Sequence, residues 1–465
     1  MNAPGNILIF PAALVLAVLL GGLALALIRP YWAFLASIAI SIGIGGNTLT
    51  YSRLPEGSPF FNLRDAALCV AVVAAVANAF YQRNRLVWPK IATAMVLVLL
   101  LGAANTSISL GFTYDTLKAL RAALSLPINY WVGANLVTTE KQVKRLLLTC
   151  FVATLGAEIQ HLIYFVGGSA EGISAPGLRS LDYSMGQSAA WLIAGPFMVN
   201  GRIRRPLLQF AVGVIFLAAN ITHQTRSVAL GAMIGIVFLY GWFVRGALTG
   251  SRSRLLSLAA VIAVTLSIIV PYLSLGEAAH NYVARMARTI DVESDSSETI
   301  GRRIAFEIEM RDWRDSNLAL GRGLEYFQVY NRAGGWRESN ASFGHLGYIT
   351  YLSQLGLLGF FVYALWFPFH VLRRARRQFR NSLIQPATRH WELLVGAVFL
   401  YDIAMFFFSS DFLGSSVLPG LMAGFVTSFD RSSRSLPYTP DPSRDHSSPR
   451  ILGARSLDRL APPAA

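Results

Sequence analysis

Apolar residues in this chain come in blocks of about twenty, separated by short polar interruptions. A helix needs about 20 mostly apolar residues to cross the ~30 Å hydrocarbon core of a bilayer. The blocks fall near 7–28, 31–50, 66–82, 90–107, 116–137, 146–168, 184–200, 206–222, 227–244, 255–275, 346–369, 391–409 and 413–429, up to thirteen candidates. The weakest is 116–137, which contains Lys118, Arg121 and Pro127 and reads also as a re-entrant or interfacial piece. Only helices and closed barrels satisfy every backbone polar group in lipid, and the ten-residue alternation of a barrel is absent. The predicted fold is all-α: a polytopic integral membrane helical bundle of 12–13 transmembrane helices with one large, partly helical periplasmic loop.

The interruptions divide the chain further. Residues 1–275 form a transmembrane bundle of about ten spans, 276–345 the large loop, 346–429 the C-terminal spans, and 430–465 a tail. The tail (RSSRSLPYTPDPSRDHSSPR and beyond) lacks the apolar surface needed to order itself and is expected to be disordered. The loop is different. Phe306, Met310 and Trp313 recur at helical spacing, and Arg303, Glu307 and Arg311 follow at i, i+4, i+8. One face of this predicted helix suits a bundle or membrane surface, the other alternates charge. A solvated surface helix without chemical importance has the same pattern. No internal repeat is visible, which weakens an inverted-repeat transporter reading.

Composition sharpens this picture. Of 465 residues, 54 % are hydrophobic and 14 % charged, with mean hydropathy +0.47, whereas soluble domains are nearer a quarter charged. The net charge of +15 lies largely in clusters in short loops: Arg83, Arg85 and Lys90; Lys141, Lys144 and Arg145; Arg202, Arg204 and Arg205; Arg245, Arg252 and Arg254; Arg373, Arg374, Arg376, Arg377 and Arg380. Their spacing along the spans puts all of them on one side, expected to be cytoplasmic, as is the tail. The charge therefore reports topology and gives no reason to expect a nucleic-acid partner. The N-terminal segment lacks the basic region of a cleavable signal peptide and reads as a retained span. With thirteen spans the N-terminus is outside; with twelve it is inside. Cys69 and Cys150 are too few for a disulfide framework or a cysteine-rich metal site.

Polar residues within the apolar blocks are candidates for function, because ionisable groups in lipid are costly. Glu158 and His161 share a helical face and either line a cavity or pair within the bundle. Asn220, His223, Gln224, Thr225 and Arg226 crowd one short outer turn. Arg226 there reads as a snorkelling anchor or as a ligand for an anion. Arg179 belongs to another outer connection, and Arg303 and Arg314 to the large loop. Arginine holds phosphate bidentately and keeps its charge. An outer arginine cluster suits a lipid-linked diphosphate, with guanidinium groups stabilising the leaving group. No DxD-type carboxylate pair is found that would hold a divalent metal there.

The strongest local signal is GHLGYITYLSQLGLLGFF. His345 stands at the outer lip of a span, where an imidazole can act as general base. Gly356 and Gly359 follow it and predict close helix approach. In these features the sequence resembles the O-antigen ligase and O-antigen (Wzy-type) polymerase superfamily, and within it an exopolysaccharide polymerase-like member. The family motif is a His, usually followed by Asn, Ser or Gln, then nine residues and GxxG. Leu346 departs from it at the second position. Arg314-Asp-Ser-Asn-Leu318 is similar to the ligase R-x3-L element. Arg303, Phe306 and Gly321-Arg-Gly323 are similar to the start of the family's loop, and Thr225-Arg226-Ser-Val to its Ser-Arg-Gly-Ala turn. The resemblance covers roughly residues 140–430.

The resemblance implies a metal-independent, inverting glycosyltransferase of the inner membrane, using no cofactor. Its donor would be a glycan on undecaprenyl diphosphate. Its acceptor would be a hydroxyl of another lipid-linked repeat unit, in polymerisation of a surface or secreted polysaccharide. Transfer to lipid A core or another carrier, as in a ligase, is the alternative, and a lipid-linked oligosaccharide transporter or flippase is another. His345 would take the acceptor proton or orient the acceptor. Arg226, one of Arg303 and Arg314, and less directly Arg179 would hold the diphosphate. Membrane lipid, a chain-length regulator and a flippase are the other partners implied.

Overall fold

The computed structural model describes residues 6–44, 63–111, 113–137, 142, 145–146, 148–156, 159, 234, 297–324, 327–331, 335–339, 347–384, 400, 403 and 417–435. Within them the chain is mostly helical. The elements are α1 (Asn6–Ile28), α2 (Pro30–Ala39) with a π-helical end at Ile40–Ile44, α3 (Leu63–Tyr81), α4 (Lys90–Leu110), α5 (Tyr114–Leu136), α6 (Ser297–Arg314), α7 (Gly347–Gly359), a π-helical turn (Phe360–Trp366), α8 (Phe367–Ile384) and α9 (Val417–Ser435). Leu63–Tyr81, Lys90–Ser109 and Gly347–Arg374 are long and apolar enough to cross a membrane. The predicted spans 184–200, 206–222 and 255–275 lie outside the described residues, as does nearly all of 227–244 and 391–409.

One amendment to the all-α expectation is needed. The large loop contains a two-stranded antiparallel hairpin, β1 (Phe327–Asn331) and β2 (Gly335–Ser339), with Phe327 opposite Ser339. The Tyr330 and Trp336 pair in its register is the aromatic kind that suits strands, and the Gly334-Gly335 step suits the turn. The other boundary that moves is the tail. Helix α9 continues through Ser435, past the point where the composition turns polar.

Local signals explain several helix ends. Pro30 opens α2 at a position that needs no N–H donor. Thr113 caps α5, its hydroxyl accepting from the Thr116 N–H at 3.2 Å. Gly111, at φ 83°, ends α4. Arg311 and Arg314 lie in the last turn of α6, where cations complement the helix dipole.

The most extensive helix packing is between α5 and α9. Gly420 and Gly424 form a GxxxG face on α9 that lies against the α5 backbone. A Cβ on Gly420 would come 2.7 Å from the Leu126 oxygen, and one on Gly133 of α5 would come 2.6 Å from the Leu421 oxygen. Glycine therefore lets the two backbones touch. The Tyr130 hydroxyl meets the Thr427 hydroxyl at 2.9 Å within this seam. Thr427 already donates to the Ala423 carbonyl at 3.0 Å, so Tyr130 is the donor to Thr427. The weak candidate 116–137 is thus a central, well-packed helix, and its Arg121 pairs with Asp65 of α3 at 3.2 Å.

The two ends of this bundle differ. At one end Asn135 of α5 clamps the 82–89 connection: the Val87 N–H donates to Asn135 Oδ1 at 2.8 Å and Asn135 Nδ2 donates to the Val87 carbonyl at 2.9 Å. Trp88 packs on Trp131, and Arg374 donates to the Thr427 carbonyl at 3.3 Å. Arg145 sits 5.5 Å over the Trp32 ring. The basic clusters around residues 83–90, 145 and 373–377 therefore gather at one end. The opposite end, beyond the C-terminus of α4, carries residues 317–324 of the large loop.

Candidate functional site

Arg179, Arg226 and His345 lie outside the described residues, as do Glu158 and His161. Arg303 is in α6, eleven residues before Arg314, and the helical rise puts their backbones about 16 Å apart along the axis. Arg314 is exposed and has no ion pair among the described residues. Its position in the last turn of α6 gives it a dipole role whatever else it does.

Three of the four predicted glycines, Gly321, Gly323 and Gly356, come together in one place. Gly356 breaks α7 at φ 63°, ψ −161°, a conformation open to glycine alone. An intact helix would bond the Leu357 N–H to the Ser353 carbonyl and the Leu358 N–H to the Gln354 carbonyl. The break parts both pairs, and the 317–324 turn takes up all four groups. Arg322 N–H donates to the Ser353 carbonyl at 2.8 Å and Gly323 N–H to the Gln354 carbonyl at 2.9 Å. In return the Leu357 N–H donates to the Leu318 carbonyl at 3.0 Å and the Leu358 N–H to the Ala319 carbonyl at 3.2 Å. In an apolar surrounding each of these groups left alone would cost on the order of a few kcal/mol.

Glycine makes this exchange sterically feasible. A Cβ on Gly321 would lie 2.6 Å from the Gly356 nitrogen, and one on Gly356 would overlap the Ala319 carbonyl. Gly323, at φ 111°, lies against Thr106 of α4. Thr106 accepts from the Leu324 N–H at 2.8 Å, and Asn105 donates to the Gly321 carbonyl at 2.9 Å. The turn is shaped by Asn317, whose Oδ1 accepts from the N–H groups of Ala319 and Leu320. So Gly356 receives a loop and not a neighbouring helix. The close helix approach expected of it occurs instead at Gly420 and Gly424. Gly359 stands above the break, where a Cβ would meet the side chain of Leu355.

No protein-family model matches this chain, and no curated protein matches it.

Polar side chains surround the joint, and sequence reasoning missed most of them. Thr350, Ser353 and Gln354 of α7 are buried, and so is Glu309 of α6. Asp312, one turn beyond Glu309, pairs with Arg322 and lies 3.7 Å from Arg311. Glu309 is 5 % exposed, and its carboxyl makes no ion pair among the described residues. Burial pushes its carboxyl up to about 8; the Thr350 hydroxyl pulls the other way, and Asp312 adds to the rise. At neutral pH this group is mostly neutral. The inward face of α6 is therefore acidic at Glu309 and Asp312, while Phe306 is 42 % exposed. Of the apolar set 306, 310 and 313, Phe306 is exposed while Met310 and Trp313 are half-buried. Among the described residues no three His, Cys, Asp or Glu gather as a metal-binding group.

Proposed function

We propose that the protein is a membrane glycosyltransferase of the bacterial inner membrane. It moves a glycan from undecaprenyl diphosphate to an acceptor hydroxyl at the periplasmic face, in polymerisation of a surface or secreted polysaccharide. The observation that carries this reading is the joint itself. Gly321-Arg-Gly323 and Gly356-Leu-Leu-Gly359 resemble two separate motifs of the O-antigen ligase and polymerase superfamily, and they are the two halves of one structure. Their meeting gives a reason for both motifs to occur in one chain.

The joint also gives the chemistry a fixed frame. His345 is two residues before Gly347, so its backbone is within about 8 Å of the start of α7. The helix carrying Arg303 and Arg314 rests on that same α7. A general base and anion-binding groups attached to one rigid seat can be held in a productive geometry, which is where much of the rate of a group transfer arises. In this scheme His345 removes the acceptor proton as the acceptor oxygen attacks the anomeric carbon. The diphosphate leaves with its charge held by Arg226, with Arg303 or Arg314 and Arg179 nearby. The basic clusters at the far end fit a cytoplasmic side, with the large loop periplasmic and the tail cytoplasmic.

A broken span is also a feature of transporters, whose freed carbonyls coordinate ions. Here the Ser353 and Gln354 carbonyls accept from the loop, which weighs against an ion site built from this break. Transfer to lipid A core remains the ligase form of the same chemistry.

The test is reconstitution of the purified protein with a defined undecaprenyl-diphosphate glycan. Chain growth on the lipid carrier is the expected product, and no transfer with any lipid-linked acceptor overturns the reading. In a complemented deletion strain, Arg226→Lys should lower glycan output by at least tenfold, because a point charge does not replace a bidentate fork. His345→Ala should do the same, with single repeat units retained; polymer of normal amount and length from either variant removes that residue from the mechanism.

A further inference from the structure

Glu309 has a place in the joint that the transfer reaction does not use. We propose that it is a proton-binding site coupled to docking of the large loop: the loop helix α6 rests on α7 with Glu309 protonated, and leaves it when Glu309 ionises.

The geometry is as follows. Glu309 is on the inward face of α6, buried against α7, where the Thr350 hydroxyl reaches its carboxyl and no ion pair to it is made among the described residues. A carboxylate so buried, met by a hydroxyl but by no charged partner, is costly to keep ionised and takes up a proton instead. Among the described side chains no cation is free to serve as that partner. On α6, the neighbour Asp312 is an acid that Arg311 approaches at 3.7 Å, Glu307 is exposed, and the side chains of Arg302 and Arg303 lie outside the described ones. On the turn, Arg322 is engaged by Asp312. On α7, no residue between Gly347 and Gly359 is charged, and the titratable groups are the phenols of Tyr348 and Tyr351. The strand β1, which lies alongside α6, carries only Tyr330 as a titratable residue. The described neighbours thus add negative charge and no spare positive charge.

The coupling has a definite sign. Docked, the carboxyl titrates at about 8, against an ordinary value of 4.5. Below the ordinary value both states hold the proton and docking carries no electrostatic penalty. As pH rises from there, the undocked loop releases its proton and the docked loop does not. Docking therefore weakens by up to tenfold for each pH unit, until the docked carboxyl also ionises and the effect levels off near pH 8. The loop is held most firmly in mildly acidic surroundings. This inference does not depend on the glycosyltransferase reading, since it concerns only how the loop is seated.

Hydrogen–deuterium exchange of the full chain in nanodiscs tests it without reference to activity. Exchange in peptides covering 297–324 is compared between wild type and Glu309→Gln at pH 5, 6, 7 and 8, so that the intrinsic pH dependence of exchange cancels. The wild-type to variant exchange ratio should rise by up to tenfold per unit over this range, then flatten, while peptides from α5 and α9 show a constant ratio. A ratio for 297–324 that stays flat from pH 5 to 8 overturns the proposal. If Glu309→Gln does not fold, Asp312→Asn replaces it. Removing that acid lowers the pH at which docked Glu309 ionises and frees Arg322 to pair with it. The rise should then be smaller and end at lower pH; an unchanged profile counts against the coupling.

Discussion

The α5–α9 seam and the loop–α7 joint are both built on glycine, yet glycine does different work in each. In the seam, Gly133, Gly420 and Gly424 have helical backbones, and what matters is the missing side chain. In the joint, Gly321, Gly323 and Gly356 have positive φ, and what matters is the backbone conformation as well as the space. The seam joins two finished helices that keep their own hydrogen bonds. The joint joins two unfinished pieces, a turn and a broken helix, each completing the bonding of the other. The seam is therefore a packing contact that can be loosened by degrees, whereas the joint is a bonding contact that is either made or lost.

Substitutions can separate the two. The largest effect should come from Gly356→Ala. It places a side chain in a conformation only glycine adopts and drives a Cβ into the Ala319 carbonyl, a penalty of about 3 kcal/mol or more. Thermal unfolding in detergent should show a large fall in midpoint, with loss of exchange protection in 317–324; a midpoint within a degree of wild type would show that the break is not required. Gly424→Leu should come next, at about 1–3 kcal/mol, because the helices can move apart to accept it. Its signature is a lower midpoint with the 317–324 turn still protected, and loss of that protection would merge the two contacts into one unit. The smallest should be Thr427→Val, which removes the partner of the Tyr130 hydroxyl at nearly constant volume and costs about 1 kcal/mol. A cost below a few tenths would mean that the seam depends on packing alone.

The same contrast explains what could be read from sequence. Hydropathy located α3 and α4 within a few residues, since their long apolar runs need no knowledge of neighbours. It undervalued α5, because hydropathy registers fitness for lipid, and a helix buried in protein can hold Arg121 so long as Asp65 is there to meet it. Gly356 and Gly321 were visible through resemblance, but their partnership was not. The two are thirty-five positions apart, and a backbone hydrogen bond leaves no trace in residue type. Gly420 and Gly424 match a general spacing and could have been noticed. Glu309 was hidden for a different reason: on a helix rich in Arg and Glu, a buried acid looks the same as a solvated one. His345, Arg226 and Arg179 were singled out on chemistry, and they lie outside the described residues.

The exchange of hydrogen bonds between 318–323 and 353–358 also has a consequence for chain entropy. It pins both ends of the stretch from 325 to 346, which holds the β1–β2 hairpin and His345, so that this stretch is a closed ring on a fixed base. Closure entropy rises only as the logarithm of ring length, and doubling the ring adds about 0.6 kcal/mol. New residues between Asn331 and Gly335 should therefore leave the base undisturbed. The protein can lengthen or reshape this ring at small thermodynamic cost, and the ring is free to vary while the seat beneath it stays the same.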